Sequence, residues 1–274
     1  MNRTALYALL IALIIPVCIF FYVSSLPKAA VPQPLFSDSV STKVSKGKEV
    51  QETYWHHIPN FKLTNQLGEK ISFSDISLSD SGRIVVANFF FTHCTSICPA
   101  MTMEMKKLQN TVQRGVRIGD NTADYVQYLS FSIDPETDSV PNLKKWADRF
   151  QIDPVNWWLL TGDKQTIYDL SLKHMNLSVQ DPKIDSAWPH TDIFVLIDKH
   201  GVVRARRDKD GNPKLYHSRD EQDMRNLAED IVLLSLEKGQ GQKGPLAGQL
   251  PLILTVMLIA LGGVILLFFI FRKK

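Results

Sequence analysis

The sequence predicts a three-layer α/β domain held between two membrane-spanning helices. Within residues 53–240, short apolar runs rich in β-branched and aromatic residues alternate with segments whose apolar residues recur at helical spacing. At each end of the chain lies an uncharged apolar stretch long enough to cross a bilayer. The formal net charge of +3 and the lack of a basic patch interleaved with aromatic residues argue against nucleic-acid binding.

The two apolar stretches, residues 5–25 and 249–271, are predicted to be transmembrane helices. A cleaved signal peptide has a shorter apolar region, and a buried core helix is rarely apolar on all sides over this length. Arg3 precedes the first stretch, and the residues after the second, 272–274, are all basic. Basic residues near span ends tend to stay cytoplasmic, which places residues 1–4 and 272–274 inside. We therefore expect a membrane protein with its main domain on the extracytoplasmic side; in a bacterium this means the inner membrane, with the domain in the periplasm.

Two segments are predicted to be linkers between the spans and the domain. Residues 26–52 are rich in Pro, Ser, Val and Lys and show neither a helical nor a strand period, which is typical of a tether. Residues 241–248 are glycine-rich and contain Pro245. The domain between the linkers is predicted to occupy residues 53–240.

The first elements of the domain are a hairpin, a buried strand and a helix. Phe61–Thr64 and Lys70–Phe73 flank a glycine-containing turn and predict the hairpin. Arg83–Phe91 is continuously apolar, as expected for a strand covered on both faces. Pro99 suits the first turn of a helix. The apolar stripe of this helix is predicted to be Met101, Met105, Leu108 and Val112.

The remaining elements continue the alternation. The predicted strands are Tyr125–Ile133, Trp157–Leu160, Ile193–Ile197 and Val202–Arg206. Helices are predicted from about Ser139 to Phe150, from Asp163 through Leu170, and along the stripe Met224, Leu227, Ile231 and Leu234. Strands alternating with helices and ending in a hairpin and a helix indicate a thioredoxin-like fold.

Two of the three cysteines form the candidate site, whereas Cys18 lies in the first predicted span. Cys94 and Cys98 fall between the buried strand and the helix, so both sulfurs are expected near a helix N-terminus, where the dipole favours thiolate. Residues four apart on a helix have Cβ atoms roughly 5–6 Å apart, and a disulfide needs about 3.5–4.5 Å. The spacing favours metal binding, although thiol–disulfide chemistry stays open because an irregular loop would relax the constraint.

His190 is the predicted third ligand. It precedes the buried strand Ile193–Ile197, and in a thioredoxin-like sheet the loop before this strand faces the cysteine turn. His93 is adjacent to Cys94, so its side chain is expected to point away from the sulfurs. We interpret His174, His200 and His217 as surface or hydrogen-bonded residues; the positions of His56 and His57 near the domain's start give no clear role. Thiolate ligands select Cu(I) and imidazole suits copper, with zinc as the second choice.

Four segments in order resemble the Sco/SenC family over roughly residues 55–236. The first is Cys94-x-x-x-Cys98-Pro99 after an aromatic strand. The others are Phe131-Ser132-Ile133-Asp134-Pro135-Glu136-Thr137-Asp138, Asn156-Trp157-Trp158-Leu159-Leu160-Thr161-Gly162, and His190-Thr191 followed by Val195-Leu196-Ile197-Asp198. The resemblance implies a copper metallochaperone for the dinuclear copper centre of cytochrome c oxidase. The second predicted span departs from the family, whose members commonly have one N-terminal anchor.

The resemblance also implies residue roles and partners. Copper would be bound by Cys94, Cys98 and His190, and Asp134 and Asp138 would lie near the site with a role in target contact or copper retention. Helix capping and turn formation around Ser139 are the alternative for the two acids. The implied partners are the oxidase subunit carrying the dinuclear copper site and other copper carriers or thioredoxin-like reductants.

The sequence is compatible with three functions. The first is copper delivery without catalytic turnover, and the second is a thiol–disulfide oxidoreductase using Cys94 and Cys98. The third is an interaction module with a structural metal, which needs a fourth ligand that the sequence does not supply. Met101 and Met105 are expected to pack in the core. Met103 is expected to be exposed and is a candidate for transient contact with copper.

Overall fold

The computed structural model describes residues 31–45, 48–76, 82–115, 125–177 and 192–237. The chain divides into two units. One comprises Ala30–Leu236 and contains the helices and strands given below. The other comprises Met1–Ala29 and Glu237–Lys274, and apart from Glu237 it lies outside the described residues. The predicted spans 5–25 and 249–271 and the linker 241–248 therefore fall outside them. In the part of the chain that is described, no helix has the length and apolarity that a bilayer crossing needs.

The described elements are strands interspersed with helices, as the sequence predicts. The strands are β1 (Gln33–Pro34), β2 (Ser37–Ser45), β3 (Lys48–Trp55), β4 (Lys62–Asn65), β5 (Lys70–Ser72), β6 (Ile84–Phe90), β7 (Val126–Ser132), β8 (Trp157–Thr161), β9 (Ile193–Ile197), β10 (Val203–Arg207), β11 (Pro213–Lys214) and β12 (Tyr216–His217). The helices are α1 (Ile97–Gly115), α2 (Val140–Phe150), α3 (Lys164–Asp169) and α4 (Glu221–Leu236), with a 3₁₀ turn at Phe73–Asp75 and a π turn at Leu170–His174.

One mixed sheet forms the centre of the domain, in the order β1-β10-β9-β6-β7-β8-β4-β5, with β11 beside β10 and β12 beside β9. Strands β6, β7 and β8 run parallel, whereas β9 pairs antiparallel with β6. Every residue of β6 and β7 is buried, because both faces of the sheet are covered. The predicted stripe on α1 packs into this core, with Met101 and Met105 fully buried. The α/β prediction is therefore confirmed.

Local signals explain the element boundaries. The hairpin β4–β5 turns at Gly68, whose φ of +83° is costly for other residues. The Asn65 side-chain oxygen accepts the backbone N–H groups of Leu67 and Glu69 in this turn. Helix α3 is capped by Asp163, whose carboxylate accepts from the Thr166 backbone N–H at 2.7 Å. The Asp163 cap matches the prediction.

The prediction that residues 26–52 lack strands is wrong for the described part of that segment. β2 and β3 form an antiparallel two-stranded sheet, and β1 joins the main sheet beside β10. β-Branched residues on both sides of Gly47 were the available signal. Among the described side chains of the β2–β3 hairpin, Val40 and Tyr54 are 58% and 45% exposed. These two exposed side chains give no hydrophobic pattern that would have predicted the hairpin.

Three side chains join this hairpin to the rest of the domain. The Nδ1 atom of His56 lies 2.5 Å from the Asp38 carboxylate, and its Nε2 atom lies 2.8 Å from Nδ1 of His174 in the π turn. The two ring planes differ by 11° with centroids 5.0 Å apart, so the rings meet edge to edge. One proton at most fits between the facing nitrogens, so the contact requires at least one neutral imidazole.

We expect His174 to make stability depend on pH. Burial and the nearby His56 lower the pKa of His174 from its ordinary value of 6.5, with Lys173 acting in the same direction and Asp169 and Asp38 opposing. Because the unfolded chain then binds the proton more tightly, the free energy of unfolding falls as the pH drops from about 7 to about 5. His174→Gln should flatten this slope in urea unfolding.

Leu172→Gln is the matched control, since Leu172 is 47% exposed on the same turn and carries no titratable group. It should keep the slope of the original chain. Equal slopes for the original chain and His174→Gln would contradict the assignment.

Candidate metal centre

The candidate site lies at one edge of the sheet, where two parallel strands end side by side. Phe90 of β6 is in register with Ser132 of β7, and the Ile133 backbone N–H donates to Phe90 O at 2.9 Å. The cysteine loop follows β6 and the loop with the two aspartates follows β7. The parallel register therefore brings the two predicted motifs together.

Cys94 and Cys98 are free and buried, with 6% and 1% of their surfaces exposed. The Cys98 backbone N–H donates to the Cys94 Sγ atom at 3.4 Å. Helix α1 begins at Ile97, so Cys98 lies in its first turn while Cys94 precedes it. The argument from helical spacing is therefore wrong in its premise, because only one of the two cysteines is helical.

The two thiols differ strongly in acidity. Hydrogen bonds from the Cys98 thiol, and then from the backbone N–H groups of Cys98 and Ser96, lower the pKa of Cys94 to about 4, although burial opposes this. The pKa of Cys98 is raised well above its usual range by its bond to Cys94 and by burial, with a smaller contribution from the charge of Asp138. The pair shares one proton, so one thiol is activated rather than both, and the hydrogen bonds around Cys94 favour the thiolate there.

Asp138 fixes the beginning of the cysteine loop. Its carboxylate is fully buried and accepts from the Thr92 backbone N–H at 3.1 Å and from the Thr92 hydroxyl. The Ser132 hydroxyl at the end of β7 donates to the same carboxylate. Asp138 thus ties the two strand ends together two residues before Cys94.

Asp134 is also fully buried, and the His93 Nε2 atom lies 3.6 Å from its Oδ2 atom. The His93 ring packs edge-on against Phe91 with centroids 4.6 Å apart. Asp134 also forms the turn before α2, since its carbonyl oxygen accepts the N–H groups of Thr137 and Asp138 at 3.1 and 2.9 Å. The N-cap of α2 is Ser139, whose side chain makes no capping hydrogen bond. Since both carboxylates are buried, the structure offers neither of them as a surface for target contact. Sequence reasoning missed Thr92 and the contact with His93, which follow from the parallel register.

The predicted third ligand, His190, lies outside the described residues. In the ranges that the structure covers, no group of three or more His, Cys, Asp or Glu side chains is arranged to hold a metal. β9 runs antiparallel to β6 with Ala87 opposite Val195, so its first residue lies at the edge where β6 ends. The loop before β9 lies outside the described residues, so its expected position facing the cysteine turn and the ligand role of His190 both stay predictions.

The structure also describes His200, His217 and Met103, which are further side chains with potential metal-binding atoms. His200 is exposed in its turn, and its carbonyl oxygen is 2.8 Å from Nδ1 of His57. His217 is half-exposed beside Asp192. Met103 is 46% exposed, as expected. These observations assign none of the three side chains to the cysteine pair.

Comparison with known proteins identifies the family. The sequence profile described as SCO1/SenC matches residues 50–222, more than half of the chain. The chain belongs to the SCO1/SenC family. This confirms the resemblance drawn from the four motifs.

Individual family members agree with this assignment. A SCO1 protein homolog of Bacillus subtilis is 31% identical over 158 residues, which cover 57% of this chain and 76% of that protein. A SCO1/SenC family lipoprotein of Bacillus anthracis is 30% identical, covering 66% of this chain and 95% of its own, with a TM-score of 0.53. BsSco, described as having a disulfide switch and as a member of the Sco family of cytochrome c oxidase assembly proteins, is 28% identical with a TM-score of 0.54. It covers 67% of this chain and 95% of its own. The mixed α/β, thioredoxin-like fold is thus confirmed as the Sco fold.

The proton shared by the cysteines gives a testable titration. In a metal-free chain carrying Cys18→Ser, the far-ultraviolet thiolate absorbance of Cys94 should persist from neutral pH down towards pH 4. Cys98→Ala removes the donated hydrogen bond and should move this absorbance step back towards the ordinary thiol range.

Cys98→Ser is the matched control, because its hydroxyl can still donate to the Cys94 thiolate. It should keep the step at low pH. A step in the ordinary thiol range for the Cys18→Ser chain would show that Cys94 is not activated.

The Asp138 bonds give a stability prediction. Asp138→Asn replaces one buried acceptor oxygen with a donor that faces the Thr92 and Ser132 donors. The free energy of unfolding should fall by about 1–3 kcal/mol in urea unfolding.

Asp148→Asn serves as the control, since Asp148 is 62% exposed on α2 and pairs only with Lys144 among the described ion pairs. Its effect should stay within about 0.5 kcal/mol. Equal losses in the two variants would show that burial of Asp138 is not decisive.

Proposed function

We propose that this protein is a membrane-anchored copper chaperone that delivers copper to the dinuclear copper centre of cytochrome c oxidase. Membership of the SCO1/SenC family supports this function. The anchor in this proposal consists of the two spans at residues 5–25 and 249–271, with the main domain on the extracytoplasmic side.

The proposal rests on a pair of free cysteines, which follow the central strand β6. Cys94 and Cys98 lie close enough for a hydrogen bond between their side chains, and a buried carboxylate fixes the loop before them. Two soft sulfur donors suit Cu(I), so the donor set fits copper as the cargo. His190 is the proposed third ligand.

A set of three ligands is suited to transferring its metal to another protein. An open coordination position lets an incoming thiolate or imidazole bind before a resident ligand leaves. The chain's part in delivery is to hold its sulfurs together and to keep water away from them. We assign Asp134 and Asp138 to the support of this site.

Copper binding tests the ligand set. The metal-free full chain in detergent should bind one copper, and His190→Ala should lower the affinity by about tenfold or more in competition with a chromophoric Cu(I) chelator. Cys94→Ser should lower it as well. His200→Ala is the matched control, because that side chain is exposed in a turn. Full copper affinity in His190→Ala would remove His190 from the site.

A thiol–disulfide oxidoreductase is the second candidate, and the unequal acidity of the two thiols favours it. One activated cysteine beside one protonated cysteine suits attack on a disulfide followed by resolution. The same variants separate the two functions. An oxidoreductase would keep its turnover on a disulfide substrate in His190→Ala, whereas a chaperone would lose copper transfer to the oxidase subunit's copper domain.

A further inference from the structure

Two imidazole rings face each other where the β2–β3 hairpin meets the π turn. Nε2 of His56, the residue directly after β3, lies 2.8 Å from Nδ1 of His174, and the ring planes differ by only 11°. The lone pair of an imidazole nitrogen lies in the plane of its ring, so two coplanar rings can direct their lone pairs at one point between them. Both side chains are half-buried. The arrangement therefore offers two nitrogen donors opposite one another.

The Asp38 carboxylate orients the first of these rings. Its Oδ1 atom lies 2.5 Å from Nδ1 of His56, so the proton of this ring is held on Nδ1 and Nε2 carries the lone pair. A carboxylate in this position is the usual outer partner of a metal-binding histidine and raises the basicity of the ligand. Asp38 therefore prepares His56 to bind a cation through Nε2.

The second ring comes from an unusual backbone conformation. His174 is the last residue of the π turn Leu170–His174, and π turns are rare and occur frequently at functional sites. Burial and the nearby His56 lower the pKa of His174, so its ring is neutral at neutral pH. A neutral imidazole can move its proton to Nε2 by exchange with water and then present the Nδ1 lone pair.

The number of donors determines which cation suits the pair. Zinc needs three or four protein ligands, and among the described residues no group of three His, Cys, Asp or Glu side chains could hold a metal. Cu(I) has a filled d shell and can be bound by two ligands on opposite sides, and imidazole is a suitable ligand for copper. With bonds of roughly 2 Å the nitrogens would stand about 4 Å apart, so the rings would separate by about 1 Å. Neither ring is locked in the core, and β2 and β3 form a sheet of their own.

The histidine pair is separate from the cysteines. His57, next to His56, forms an isolated bridge with the residue that precedes β10. Ile197 of β9 is opposite both Val203, at the start of β10, and Val85, near the start of β6. The cysteine loop follows the other end of β6. The two groups of side chains therefore lie at opposite ends of the main sheet.

We propose that His56 and His174 form a Cu(I) site of their own, in which the ion lies between the two facing nitrogens and Asp38 orients His56. Because thiolates select Cu(I) and this site has no sulfur, it should fill only after the cysteine pair. The inference does not rest on the function proposed above, since the two sites share no residue.

A chain without cysteines isolates the proposed site. The full chain in detergent, carrying Cys18→Ser, Cys94→Ser and Cys98→Ser, should bind one Cu(I) when it is titrated without oxygen in a calorimeter. In this background His174→Gln should lower the Cu(I) affinity by tenfold or more, because one of the two ligands is lost. Asp38→Ala should lower it by about tenfold, because the outer partner of His56 is lost.

His200→Gln in the same background is the matched control, because that histidine is exposed in a turn. It should leave the Cu(I) affinity unchanged. X-ray absorption of the Cu(I) complex is a second measurement, which does not depend on how well a variant folds. It should show two nitrogen neighbours and the pre-edge feature of linear two-coordinate Cu(I).

Three results would overturn the inference. The first is a chain without cysteines that binds no Cu(I), and the second is an equal affinity with and without His174→Gln. The third is an absorption spectrum that shows three or four ligands. None of these results bears on the function proposed for the cysteine pair, which is tested by copper binding to the original chain.

Discussion

The parallel pairing of β6 with β7 is the constraint on which the site depends. The two strands match residue for residue up to Phe90 and Ser132, so the chain leaves the sheet twice at the same place. The loops after β6 and β7 turn at once in a buried environment, and their backbone N–H groups need hydrogen-bond acceptors there. Asp138 meets this need for Thr92. The cysteine loop is therefore held by the following strand as much as by its own residues.

A buried carboxylate is costly unless hydrogen bonds compensate it. Asp138 has that compensation from Thr92 and Ser132, and Asp134 lies against His93. The charge of Asp138 also disfavours ionisation of Cys98, which helps to keep the shared proton on that sulfur. The same residue thus supports the loop mechanically and contributes to the inequality of the two thiols.

Most of the sheet and its helices could be predicted because residues that become buried are apolar, and their spacing in the sequence differs between strands and helices. The continuous apolar run of β6 and the stripe of Met101 and Met105 are examples. The hairpin of β2 and β3 could not be found in this way, since it depends on backbone pairing and on polar contacts such as His56 with His174. Spacing alone could not show that α1 begins after Cys94, because the turn of Thr92–Ser96 has no periodic signature. Asp138 lies near the cysteines because β7 is next to β6 in the sheet. The family resemblance implied this proximity, whereas periodicity could not show it.

The depth of the sulfurs bears on how a cargo metal would leave. Cys98 exposes 1% of its surface and Cys94 exposes 6%, so small thiols in the surroundings have little access to either. An acceptor would have to insert its own side chain into the edge of the sheet before exchange could begin. In the proposed copper chaperone, release would then depend on a docked acceptor protein, so tight retention and prompt delivery need not oppose each other.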